Sequence, residues 1–204
     1  MQSVDASRTP IKLLGVLFLC SGMAALMYQV SWQRILFSAF GADMESVAIV
    51  VSAFMLGLGG GALLGGWAAD RIPKSTLWLF AVCEVGIGAY GFISLCLMRW
   101  AGDYFVLLSL GWIALVNFAL VLVPALLMGA TLPILVSHVA RKWESVGAAT
   151  GHMYAMNTMG AAGGALLTSF LLFKFLTLEV VVYIAAVINF AVAGVALSCL
   201  GSNK

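Results

Sequence analysis

Long apolar stretches, broken by short polar or turn-rich intervals, run the length of the chain. A helix needs about 20 mostly apolar residues to cross the hydrocarbon of a bilayer. Six segments meet that length: Ile11–Phe37, Ser46–Ala69, Thr76–Met98, Tyr104–Val139, Val146–Phe173 and Leu178–Leu200. The pattern predicts one all-α, polytopic membrane domain over residues 1–204, with no soluble domain attached. Pro124 and Pro133 fall inside the fourth segment, which is therefore expected to kink or tilt.

Composition narrows the class further. The chain is 63% hydrophobic and 9% charged, against about 25% charged in an ordinary soluble domain. Its mean hydropathy is +1.10, and a soluble fold of 204 residues cannot hide that much apolar surface. The net charge of +2 gives no reason to expect nucleic acid as a partner. Arg8 and Lys12 precede an apolar run too long for a signal peptide and without an A-x-A site. Cys20, Cys83, Cys96 and Cys199 lie singly in apolar runs, without ligand spacing, and read as small hydrophobes. No metal or cofactor is expected.

Lys and Arg set the orientation. With a cytoplasmic N-terminus, the inner segments hold seven basic residues: Arg8, Lys12, Arg71, Lys74, Arg141, Lys142 and Lys204. The outer ends hold three, Arg34, Arg99 and Lys174. That bias puts both termini in the cytoplasm, in a bacterial-type inner membrane.

Glycine is concentrated in the second and fifth segments. Gly57, Gly61 and Gly65 recur every fourth residue, with Ala62 and Gly66 beside them. Gly160 and Gly164 have Ala161 and Ala165 as neighbours. Small residues at this spacing let helix backbones approach closely, where lipid is as apolar as Leu. The rows serve either packing within the chain or contact with a second six-helix unit, which makes these five glycines a candidate dimer interface. Each half of the chain places its most glycine-rich helix in the middle, the outline of a three-plus-three inverted repeat of the kind found in secondary transporters. Gly57-x-Gly59-x-x-Ala62 also fits a dinucleotide-binding pattern, but no strand precedes it and it lies inside a bilayer-length helix.

Polar groups at membrane depth are costly and mark functional sites. Glu84 in the third segment and His152 in the fifth are the candidates for proton or ion coupling; an interhelical hydrogen bond is the other reading of Glu84. Asn117 and Thr131 in the fourth segment, with Tyr154 and Asn157 in the fifth, are candidates for contact with a substrate. Asn189 reads as structural glue between helices. The heptad YQVSWQR at residues 28–34 closes the first segment. Trp32, Gln33 and Arg34 suit the outer interface, whereas Tyr28 and Gln29 lie deeper. On a helical wheel Tyr28, Gln29 and Trp32 fall together, which makes them further candidates for contact with a substrate, and Ser21 and Ala25 continue inward from Gln29. No nucleophile–base pair or carboxylate pair occurs at one helix spacing, so no catalytic residue and no enzyme activity are expected.

The loop Gly66-Trp67-Ala68-Ala69-Asp70-Arg71-Ile72-Pro73-Lys74 looks like motif A of the major facilitator superfamily, with Pro73 where that motif has its second glycine. Five stretches carry a closer resemblance over nearly the whole chain: SGMAALMYQVSWQR, AFMLGLGGGALLGGWAADR, CEVGIGAYG, GATLPIL and YAMNTMGAAGGALL. On these the chain is similar to the membrane domain of spermidine synthase-like proteins, in which a facilitator-like bundle is fused to, or encoded near, a synthase domain. The resemblance implies that the first and fourth helices line a cavity and that the second and fifth face another six-helix unit. It makes Gly66, Asp70, Arg71 and Lys74 the motif A-like loop, on the cytoplasmic side. A homodimer moving a small polar or cationic metabolite, such as a polyamine or a related molecule, is one expectation. The other is a non-transporting subunit that anchors a separately encoded synthase-like enzyme through Arg71, Lys74, Arg141, Lys142 and Trp143. Relatives of this type often carry an acidic residue where Gln29 stands, and the chain is expected to lack aminopropyl-transfer activity of its own.

Overall fold

The computed structural model describes residues 5–40, 44–105, 110–141 and 145–201. It is all-helical among those residues. The helices are α1 (Asp5–Phe40), α2 (Met44–Arg71), α3 (Thr76–Phe105), α4 (Leu110–Ala140), α5 (Val146–Leu167) and α6 (Leu178–Gly201). A 3-10 turn, Pro73–Ser75, joins α2 to α3, and α5 runs on through a π turn, Thr168–Leu172, into a last helical turn, Phe173–Phe175. Six stretches are long and apolar enough to span a membrane: Ile11–Leu36, Val47–Arg71, Pro73–Gly102, Leu115–Ala140, Val146–Phe175 and Leu178–Cys199. The chain is a multi-pass membrane protein.

One boundary moves. Tyr104, expected to open the fourth span, belongs to α3, because no proline interrupts the stretch from Met98 and a lone Gly102 does not stop a helix. α4 itself continues through both prolines. Each proline removes the donor for the carbonyl four residues back, at Leu120 and Gly129. A freed carbonyl in the bilayer interior must find another partner. The Tyr90 hydroxyl supplies it for Leu120, donating at 2.6 Å.

The main packing pairs are α2 on α4, α1 on α5, α3 on α6, α3 on α4 and α1 on α6. The spans of α1, α3 and α4 are each 50% buried and that of α6 44%, whereas α2 is 28% and α5 17% buried. Four helices therefore form the centre, and α2 and α5 flank it on α4 and α1.

Glycines seat both flanking helices. A Cβ at Gly61 would overlap the carbonyl oxygen of Leu126, one at Gly65 that of Ala130, and one at Gly57 the Ala125 side chain. From the other side, Gly129 of α4 meets the backbone of Leu58. On α5, Gly160 and Gly164 lie on the carbonyls of Leu19 and Met23, and Gly22 of α1 meets the carbonyl of Asn157. Of the two uses open to these rows, packing within the chain is the one realised. The expectation that Gly57, Gly61, Gly65, Gly160 and Gly164 face a second copy is corrected: their surfaces are already covered by α4 and α1.

Two apolar clusters fill the interior. One gathers Phe18, Phe80, Cys83, Ile134 and Val192; the other gathers Ala24, Ile87, Met128 and Ala186. Between them, on all four central helices, comes a buried polar residue: Ser21 on α1, Glu84 on α3, Thr131 on α4 and Asn189 on α6. The bundle is thus layered apolar, polar, apolar along the membrane normal.

Candidate functional site

Glu84 is the centre of the polar layer and is fully buried. Ser21 Oγ donates to its Oε1 at 2.6 Å, and Asn189 Nδ2 donates to its Oε2 at 2.7 Å. Both carboxyl oxygens are therefore engaged, one from α1 and one from α6. Such a carboxyl fixes the register of three helices at once, since an unmet polar group there would cost its full desolvation. Asn189 Oδ1 has no hydrogen-bond partner.

A cavity of about 80 Å³ lies against this layer. Ser21, Ala25 and Gln29 line it from α1, Leu58 from α2, Thr131 from α4, Asn157 from α5 and Asn189 from α6. Every helix contributes, because Ile87 of α3 also reaches it. The space accepts several waters or one small polar group, far less than the roughly 300–1,000 Å³ of a drug-sized pocket. α2 and α5, which both touch the cavity, are not a main packing pair, and Gln29 and Asn157 remain partly exposed.

Three of the seven residues expected at a substrate site, Gln29, Thr131 and Asn157, come together here. The other four do not. Tyr28 and Trp32 are fully buried in the core. The Trp32 indole donates to Ser94 Oγ at 3.0 Å, stacks on Tyr28 at 5.0 Å between ring centroids, and meets the Tyr90 edge at 5.8 Å. Successive residues on a helix point about 100° apart, so the boundary between core face and cavity face runs between Tyr28 and Gln29. Asn117 is buried away from the cavity lining, with Oδ1 unpartnered. Tyr154 points outward from α5 and is 58% exposed. Of the two ion-coupling candidates, Glu84 backs the cavity, whereas the His152 ring lies against Gly15 of α1.

Ser21 and Asn189 hold both oxygens of the Glu84 carboxyl, a pairing that residue-type reasoning undervalued. A lone Asn in an apolar helix gives no indication of its partner; its spacing one turn from Ala186 and Val192 was the available signal.

The motif A-like loop lies at one end of the bundle. Asp70, Arg71 and Lys74 are exposed and Gly66 is partly buried near Pro133. Arg71 sets its guanidinium over Trp67, 4.2 Å from the ring centroid, and forms no ion pair with Asp70. Arg141 reaches from the end of α4 to donate to the carbonyl of Pro73, and Thr76 Oγ1 lies 3.1 Å from His138 Nδ1. Lys142 and Trp143 lie outside the described residues. At the other end Arg34 covers the Phe173 ring at 4.7 Å, and Arg99 pairs with Glu179 at 2.5 Å. No group of three or more His, Cys, Asp or Glu residues able to hold a metal occurs among the described residues.

No family profile, curated protein or solved structure matches the chain.

Proposed function

We propose that the chain is a half-size, facilitator-like transporter that works as a homodimer on a small polar or cationic metabolite. The observation that carries this reading is the polar cavity at mid-bundle, lined from all six helices and backed by a buried carboxyl. Intramembrane ionisable groups are expensive and mark substrate or ion pathways. Gln29, Thr131 and Asn157 are the substrate contacts in this reading, and Glu84 is the coupling group.

A three-plus-three repeat is supported by the packing. Exchanging α1 with α4, α2 with α5 and α3 with α6 turns each main helix pair into another main pair. The close approaches follow the same register. Leu126, Gly129 and Ala130 meet Gly61, Leu58 and Gly65, while Leu19, Gly22 and Met23 meet Gly160, Asn157 and Gly164. The intervals along each helix are identical in the two sets.

The homodimer is supported by what six helices leave open. Gln29 and Asn157 are partly exposed at membrane depth between the two least buried helices. A second copy laid on the outer faces of α2 and α5 would close the cavity and remove those groups from lipid. With the basic residues counted as above, both termini lie in the cytoplasm and the membrane is a bacterial-type inner membrane.

Purified protein in liposomes, offered radiolabelled polyamines and other small amines with and without a proton gradient, tests the proposal. Saturable uptake, lost in Gln29→Leu and uncoupled from the gradient in Glu84→Gln, is expected. Wild-type uptake in Gln29→Leu would leave the cavity without a role.

A second reading, a membrane subunit that recruits a soluble synthase-like enzyme, is favoured by the exposed basic residues Arg71, Lys74 and Arg141 at one end. Co-purification of such an enzyme, abolished by Arg71→Glu with Lys74→Glu, would support it; flux by the purified chain alone would count against it.

A further inference from the structure

Three of the polar residues that line the cavity each turn an acceptor toward it. Ser21 Oγ spends its hydrogen on Glu84 Oε1 at 2.6 Å. Thr131 Oγ1 spends its own on the carbonyl of Met128 at 2.7 Å. Asn189 spends an amide hydrogen on Glu84 Oε2, which turns its carbonyl oxygen Oδ1 away from the carboxyl and leaves it unpartnered. All three residues line the cavity and are at least nine-tenths buried, at 6%, 3% and 1% exposure. Each hydroxyl has one hydrogen to give and two lone pairs, and an amide oxygen has lone pairs only, so α1, α4 and α6 each offer the cavity an acceptor oxygen. No Lys or Arg lines the cavity.

From this geometry we infer that the cavity holds a primary ammonium group. Such a group has three N–H donors and no acceptor, which matches three acceptor oxygens from three helices. Its charge is answered by Glu84, which stands directly behind two of those oxygens. A carboxylate or phosphate would meet lone pairs from all three of these residues and the Glu84 carboxyl behind them. A quaternary ammonium carries charge but no donor, so it would leave Asn189 Oδ1 unmet. The volume of about 80 Å³ takes the ammonium head and a short stem. The inference deepens the transporter reading and rests on it only for the direction in which the ligand travels.

The experiment is binding of methylammonium to the purified full chain in lipid nanodiscs, followed by calorimetry, with tetramethylammonium, acetate and methanol as competitors. Saturable binding is expected that none of the three competitors displaces. Thr131→Val, which keeps the shape, and Asn189→Leu should each weaken it by about tenfold, the scale of one hydrogen bond to a charged group. Glu84→Gln, which can keep both hydrogen bonds, should weaken it at least as much. Should Asn189→Leu fail to fold, Thr131→Val and Glu84→Gln still decide the matter. Equal displacement by acetate or methanol, or unchanged affinity in those two variants, overturns the assignment. A protein that takes up other solutes yet ignores methylammonium also overturns it, and leaves the transporter standing. Binding without flux supports the subsite and removes the transporter.

Discussion

The two glycine-seated crossings, α2 on α4 and α1 on α5, are alike in backbone and unlike in chemistry. In both, one helix lays glycines on carbonyls spaced one turn apart, and its partner returns a single glycine, Gly129 or Gly22. What faces that returning glycine differs: Leu58 in the first crossing, Asn157 in the second. The difference extends along the helices. α1 brings Ser21 and Gln29 to the cavity, while α4 brings Met128 and Thr131. Close backbone approach is therefore common scaffolding, and the larger share of the polarity lining the cavity is added to one copy of it. The spacing between helices and the chemistry they carry are separable properties of this bundle.

Substitutions can break the likeness first. Gly61→Leu and Gly160→Leu should each destabilise the bundle by about 1–3 kcal/mol or prevent folding, the cost of forcing extra bulk into a packed contact, read as lost resistance to steric-trap unfolding in bicelles. Comparable losses are expected at the two sites, and a loss at one alone would deny that the crossings are equivalent. By contrast, Gly59 and Gly163 have open space where a Cβ would sit. Leucine there should leave the fold of the single chain intact and, in the homodimer reading, shift the protein to monomer in crosslinking.

The next effect separates the polar side. Glu84→Leu orphans Ser21 Oγ and Asn189 Nδ2 and should cost about 1–3 kcal/mol, with Glu84→Gln recovering most of it in the same unfolding assay. Asn157→Leu makes the second crossing resemble the first; it should change stability by less than about 1 kcal/mol, since polar contacts between membrane helices average about 0.6 kcal/mol, while uptake is lost. The smallest effect tests a feature of α4 alone. Tyr90→Phe should cost about 0.5–1.5 kcal/mol by orphaning the Leu120 carbonyl. In a Pro124→Ala background the restored backbone N–H takes over, and the same change should become nearly silent, a double-mutant cycle that isolates the pairing.

Much of the architecture is legible in the residues, for a physical reason. Span length follows from bilayer thickness, so the six helices are countable from hydropathy. Glycine spacing likewise announces close approach. Which helix approaches is another matter: in lipid both the outward and inward faces are apolar, so the wheel of α2 or α5 does not say which row is covered. The glycine rows were assignable to a position along the helix and not to a partner. The same limit explains the split of the heptad at residues 28–34. Trp32 looks like an interfacial residue and Tyr28 like a cavity one, yet both belong to a buried aromatic stack joined by Ser94 and Tyr90. Gln29, one residue along, faces the cavity. Asn189 was readable as a polar contact but not as half of the Glu84 pair, because 105 residues separate the partners.

Trp32 has a consequence in optics. Its indole is fully enclosed and hydrogen-bonded, whereas Trp67, Trp78, Trp100 and Trp112 are 51–59% exposed on the outside of the bundle. Brominated lipid chains should therefore quench the outer indoles and spare Trp32. Once the outer four and Trp143 are replaced by Phe, the light that remains comes from the contact between α1 and α3. Any rearrangement that parts those two helices would move its colour, and the protein would report its own opening without an attached dye.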